Sequence, residues 1–187
     1  MNTKRIVRIA LLSAILYVCK VALEWLPNVE LVTFLIILFS LTVGTDTFYV
    51  TLIFNTLELI QWGFGTWWIS YMYVWPLLVV ITLLFRKILK EEFLIWAVVS
   101  GGFGLIFGSL FSVLYLFIDV KLAWSYFIAG LPWDAWHAIS NFIIMLVAGK
   151  PLYKLLLKVN RLWDIPDGKK QDIANEKRQE NGDNKGD

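Results

Sequence analysis

Apolar residues run in long blocks along this chain, with short polar or charged breaks between them. Six blocks can be drawn. The first runs from about Ile6 to Leu23, and the second, a short one, from Leu31 to Gly44. The third covers Thr47 to Trp62 and the fourth Trp67 to Phe85. The fifth, from Phe93 to about Ile118, is long; the sixth runs from Trp133 to Gly149. The blocks are not amphipathic stripes. Each approaches the ~20 residues that a helix needs to cross a hydrocarbon core. Helices satisfy their own backbone hydrogen bonds in lipid, so the pattern predicts an all-α integral membrane protein with six transmembrane helices.

Composition agrees with this. The chain is 58% hydrophobic, against about 45–50% for an ordinary soluble domain, and its mean hydropathy is +0.65. The basic start followed by an apolar run also suits a signal peptide, but no small-x-small cleavage site follows, so it reads as the first span. The lone cysteine, Cys19, excludes an intrachain disulfide and reads as a small apolar helix residue.

Charge adds an orientation. Lys4, Arg5 and Arg8 precede span one, Arg86, Lys87 and Lys90 separate spans four and five, and Lys150, Lys154, Lys158 and Arg161 follow span six. With six spans these all fall on one side, which the positive-inside rule makes the cytoplasm. Both termini are then cytoplasmic, and the outer loops hold Lys121 beside Glu24, Glu30 and Asp119. "PLYKLLLKVNRLW" reads as an amphipathic helix continuing past span six. The chain thus divides into a membrane domain, residues 1–163, and a polar tail, residues 164–187, too poor in apolar groups to fold.

Candidate chemistry lies toward the outer side. Lys20, Glu58, Asp134 and His137 are ionisable residues inside spans, where such groups are costly and default to functional hypotheses. Asp134, His137 and Asn141 form one stripe on span six. Pro132 suits a first helical turn, so Asp134 reads either as a favourable helix-start charge or as a ligand contact. His137 reads as a ligand contact or as an interhelical bond, for instance to Glu58. Asn55, Glu58 and Trp62 share a face of span three, and Glu58 is open to pairing with Lys20, His137 or a substrate. Ser100, Gly104, Gly108 and Ser112 make a small-residue ridge for close helix packing. Ala10 and Ala14, in "ALLSA", are a packing pair or a docking surface for a partner helix. No phosphate loop, metal-ligand spacing or nucleophile elbow is present in the sequence. The chain is therefore read as a non-enzyme without metal or cofactor.

"GFGTWWISYMYVWP", residues 63–76, is the densest aromatic stretch. An interfacial belt accounts for one of Trp67 and Trp68. Tyr71, Tyr73 and Trp75 lie deeper and suit the wall of a pocket for a flat, largely apolar ligand.

In order and placement, "ALLSA" in span one, "LPNVELVTFL" after it, and "DAWHAISNFIIMLVAGKPLYKLL" at the end resemble the substrate-binding S components of energy-coupling factor (ECF) vitamin transporters. The resemblance covers about residues 4 to 160. It implies a binding subunit for a vitamin or vitamin precursor in a bacterial plasma membrane, working with a transmembrane coupling subunit and two ATP-binding subunits. It further implies that Trp25 and Asn28 belong to a lid over the outer surface. Trp67, Trp68 and Tyr71 would line one wall, with Trp133, His137 and Asn141 opposite, and Ala10 and Ala14 would face the coupling subunit. The expected partners are that ligand, those subunits and the lipid bilayer, with no nucleic acid. The alternative is a stand-alone proton-coupled transporter with Lys20, Glu58, Asp134 and His137 as its relay.

Overall fold

Helix follows helix through the whole of residues 3–164, which the computed structural model describes. The order is α1 (Thr3–Ala22), α2 (Val32–Thr42), a 3-10 turn (Gly44–Asp46), α3 (Thr47–Trp62), α4 (Thr66–Leu89), α5 (Phe93–Leu116) and α6 (Val120–Asp164). No strand occurs among the described residues. The polar tail expected over 164–187 lies, apart from Asp164, outside them. Two helices, α4 and α5, are long and apolar enough to cross a membrane.

The core forms around α2. Its residues from Val32 to Ser40 are all buried, and it touches each of the other five helices. A helix that is apolar all round has no face for solvent and is enclosed by its neighbours. Its 11 residues span only about 16 Å, half a hydrocarbon core, so α2 does not cross on its own. The second block is thus a short buried helix and not a full span.

α1, α3, α4 and α5 match the remaining blocks to within a few residues. Gly63, at φ 77 with an extended ψ of −179, ends α3 in a conformation where a side chain would be strained. The large departure is α6. The segment read as an outer loop, residues 119 to 132, is helical from Val120 onward, and the helix continues through the sixth block to Asp164. Its 45 residues extend about 67 Å. Pro132 and Pro151 sit inside it, each removing one backbone hydrogen bond without ending the helix. Pro132 is therefore not in a first helical turn, and Asp134 is not stabilised by a helix start.

The small-residue ridge explains how α5 and α6 lie together. A Cβ on Gly104 would stand 3.0 Å from the backbone of His137 and Ala138. One on Gly101 would meet Ala138 O and Phe142 at 3.1 Å, and one on Gly108 would meet the Asp134 carboxylate at 2.7 Å. Glycine here permits backbone-to-backbone approach between the two helices. Beyond the start of α5, the last turns of α6 return to α1, where Trp163 Nε1 donates to Lys4 O at 3.2 Å. The first and last described helical ends therefore share one side of the molecule. On that side Arg5 Nε donates to Asp46 at 2.9 Å and Arg8 at 3.2 Å. Burial raises the Asp46 carboxyl, but these guanidiniums outweigh it and hold it below its ordinary range. A lowered folded-state value means this contribution is complete at neutral pH and is lost as pH falls through that value.

Candidate functional site

At the opposite end, the α1–α2 connection folds back over α4, α5 and α6 and borders a half-open cavity of about 240 Å³. Leu26, Pro27, Asn28 and Val29 roof it; Tyr71, Trp75 and Phe107 wall it; Lys20, Glu24, Glu30 and His137 supply charge and polarity. A second cavity of about 320 Å³ adjoins it and shares Lys20, Glu24 and Tyr71. Glu58, Trp62 and Trp67 complete its lining.

The roof is held by two contacts to α6. His137 Nε2 lies 3.0 Å from Glu30 Oε1. An ionised carboxylate only accepts, so the proton sits on His137 Nε2. Three residues on, Ser140 Oγ donates to Asn28 O at 2.9 Å. Asn28 adopts φ 55, a left-handed conformation that asparagine tolerates better than most residues. Glu30 also caps α2, accepting from Thr33 N at 2.9 and 3.2 Å. Burial pushes the Glu30 carboxyl up, but the bonds from His137 and Thr33 prevail and hold it below its usual range. One side chain therefore ties the roof, the start of α2 and α6 together. Glu30→Ala is expected to cost about 1–3 kcal/mol by leaving both donors unsatisfied. Amide exchange in residues 23–31 should accelerate against an unchanged α5. Equal protection in the variant would mean the connection is held by other contacts.

Charge on the α1–α3 side centres on Lys20. Its Nζ lies 3.1 Å from Glu58 Oε2 and 3.4 Å from Glu24 Oε1, and 5.1 Å from the centre of the Trp62 ring. Glu58 is 1% exposed, so this pair is buried on the carboxylate side. Glu58 Oε1 has no hydrogen-bond partner among the described residues.

The aromatic wall is continuous. Trp67 packs edge-on to Tyr71 at 5.5 Å, and Tyr71 lies 5.2 Å from Trp75. Trp75 lies 5.4 Å from Phe107, and Phe107 is 4.9 Å from the His137 ring. Tyr73 turns away from it, and its hydroxyl donates to Leu110 O at 2.7 Å, tying α4 to α5.

Of the residues singled out from sequence, Asn28, Glu58, Trp67, Tyr71 and His137 line the two cavities. Four do not. Trp25 is 76% exposed, and its indole bonds to Ala22 O within its own chain turn. Trp68 donates to Asn55 O at 2.9 Å and packs on Phe64, so it ties α4 to α3. Trp133 is exposed and lines a separate groove with Pro27, Pro132 and Trp136. Pro27 lines both spaces, whereas Trp133 lines only the groove. Asn141 is fully buried one turn below His137, with neither side-chain atom partnered among the described residues.

The polar groups of the supposed relay also separate. Lys20 and Glu58 pair, whereas His137 bonds Glu30 and not Glu58. Asp134 packs on α5 and accepts from Gly108 N at 2.9 Å. Ala10 and Ala14 both lie on the exposed face of α1, among Ile6, Val7, Leu11 and Ile15. Trp75, read from sequence as a deep pocket-wall residue, lines the first cavity; Glu30, Glu24 and Phe107 belong to the site but were not among the residues singled out. A carboxylate three residues before Thr33, at the start of an apolar run, was the available signal for Glu30. Phe107 had none, because its role depends on the α5–α6 contact.

No family model, curated protein or solved structure matches the chain.

Proposed function

We propose that the chain is a membrane-embedded binding subunit for uptake of a vitamin or related micronutrient, of the ECF S-component kind. The observation that carries this reading is the roofed cavity, with its aromatic wall and charged groups at the end opposite the Lys4–Trp163 contact. Ligand pockets are mostly apolar with a few placed polar groups, and this lining has that character. The mutual approach of α1 and α6 ends favours placing both termini on the cytoplasmic side. Large apolar side chains such as Ile60, Leu84, Ile88 and Val147 are more than two-thirds exposed, which suits a lipid-facing surface better than water. Ala10 and Ala14, set among exposed apolar residues, fit a face that receives a coupling subunit. Energy would come from the ATP-binding partners.

The test is ligand binding by the purified full chain in lipid nanodiscs. With ten tryptophans, several around the cavity, at least one micronutrient in a broad panel should quench fluorescence saturably. A panel without any saturable response overturns the reading. Uptake into liposomes by the chain alone, driven by a proton gradient, would favour the stand-alone transporter instead.

A further inference from the structure

We propose that the joined cavities select a flat ligand carrying a positively charged nitrogen, held by Glu58 and Glu24 against the Tyr71–Trp75 wall. This rests on the binding-subunit reading and specifies its substrate class. Three carboxylates line the two spaces, those of Glu24, Glu30 and Glu58, against one ammonium, Lys20, and the His137 imidazole. The lining is net negative whichever protonation state His137 holds. Glu30 is already occupied by His137 and the Thr33 amide. Lys20 is shared between Glu24 and Glu58 and leans on Trp62, so it offers no free charge to an anion.

The acceptor that remains is Glu58 Oε1. Glu58 lines the second cavity, and its Oε1 is buried beside it with no partner among the described residues. A buried carboxylate oxygen without a donor is costly, and a donating or cationic group on a ligand would satisfy it. The adjoining tyrosine and tryptophan faces attract cations as well as flat rings, which reinforces the same preference. Trp75 Nε1, also in the lining and without a partner among the described residues, is a donor and would fix an acceptor atom elsewhere on the ring.

The experiment grades the nanodisc panel by charge at pH 7. Thiamine and N-methylnicotinamide serve as cationic rings, riboflavin and nicotinamide as neutral ones, and biotin, pantothenate and folate as anions. The expected result is saturable binding of a cationic member, at least about tenfold tighter than of neutral or anionic ones, the scale of one charge-assisted contact. Glu58→Gln should then weaken that binding about tenfold. Glu24→Gln, a change at a half-exposed position, should weaken it in the same direction and covers the case in which Glu58→Gln does not fold. Tightest binding of a neutral or anionic member overturns the charge preference while leaving the binding-subunit reading intact. Unchanged affinity in a folded Glu58→Gln overturns it too. A panel with no saturable member overturns both.

Discussion

Lys20→Met should lower the unfolding midpoint of the purified protein by about 10 °C, corresponding to roughly 3–5 kcal/mol for removing one partner of a buried ion pair. The physical reason lies with the residue left behind. Glu58 is 1% exposed, and Lys20 Nζ at 3.1 Å is the cation that faces it. Removing the ammonium leaves a largely buried carboxylate without the cation that balances it. Lys20→Met combined with Glu58→Leu should recover most of the loss, because no charge then remains to be buried. Thermal unfolding in detergent followed by circular dichroism measures both. A single variant as stable as the parent would mean that the pair does not form. The same double variant would lack the acceptor proposed for a ligand, so it should be stable but bind poorly. That combination separates the folding role of the pair from its binding role.

Gly104→Val is the second change with a large expected effect. Its Cβ would meet the backbone of His137 and Ala138 at 3.0 Å, and backbone atoms cannot turn aside as a flexible side chain can. Relief requires α6 to move away from α5, at a cost on the order of 1–3 kcal/mol or more. Any such shift carries His137 with it and breaks its 3.0 Å contact with Glu30. Ligand binding should therefore be lost together with stability. Gly102→Val is the matched control, since, its own chain neighbours and helix backbone aside, no described atom lies within 4 Å of its added Cβ. It should change stability by no more than about 0.5 kcal/mol. Equal behaviour of the two variants, measured by thermal unfolding and tryptophan quenching, would refute close α5–α6 packing at Gly104.

Much of the fold was legible because apolar blocks and helix breaks are local signals. The bounds of α3, Thr47 to Trp62, follow directly from the block and the "GFGT" break after it. The ridge at Gly104 and Gly108 was legible as a packing surface, though not which helix it would meet. The α6 start was missed because Asp119 to Pro132 mixes polar, glycine and proline signals that elsewhere mark loops. Packing against α5 overrides them, with Tyr115 and Tyr126 rings 4.8 Å apart in the first turns. A helix interior tolerates proline when neighbours hold the chain on both sides of it.

The site divides along the same line. Sequence by itself determined that Glu58, His137 and the deep aromatics must find polar partners or enclosed surroundings, because their burial in apolar runs is written in the runs. It also determined the small-residue contact on α5 and the segregation of basic residues. Only the tertiary structure decided which partner each group took. His137 meets Glu30 because the α1–α2 connection folds over α6, a contact between residues more than a hundred positions apart. Trp133 is left outside because it lines the exposed groove with Pro27 and Trp136 and not the cavity. Periodicity fixes the face on which a side chain stands, but the choice among possible neighbours is made by how the helices pack, and that depends on all of them at once.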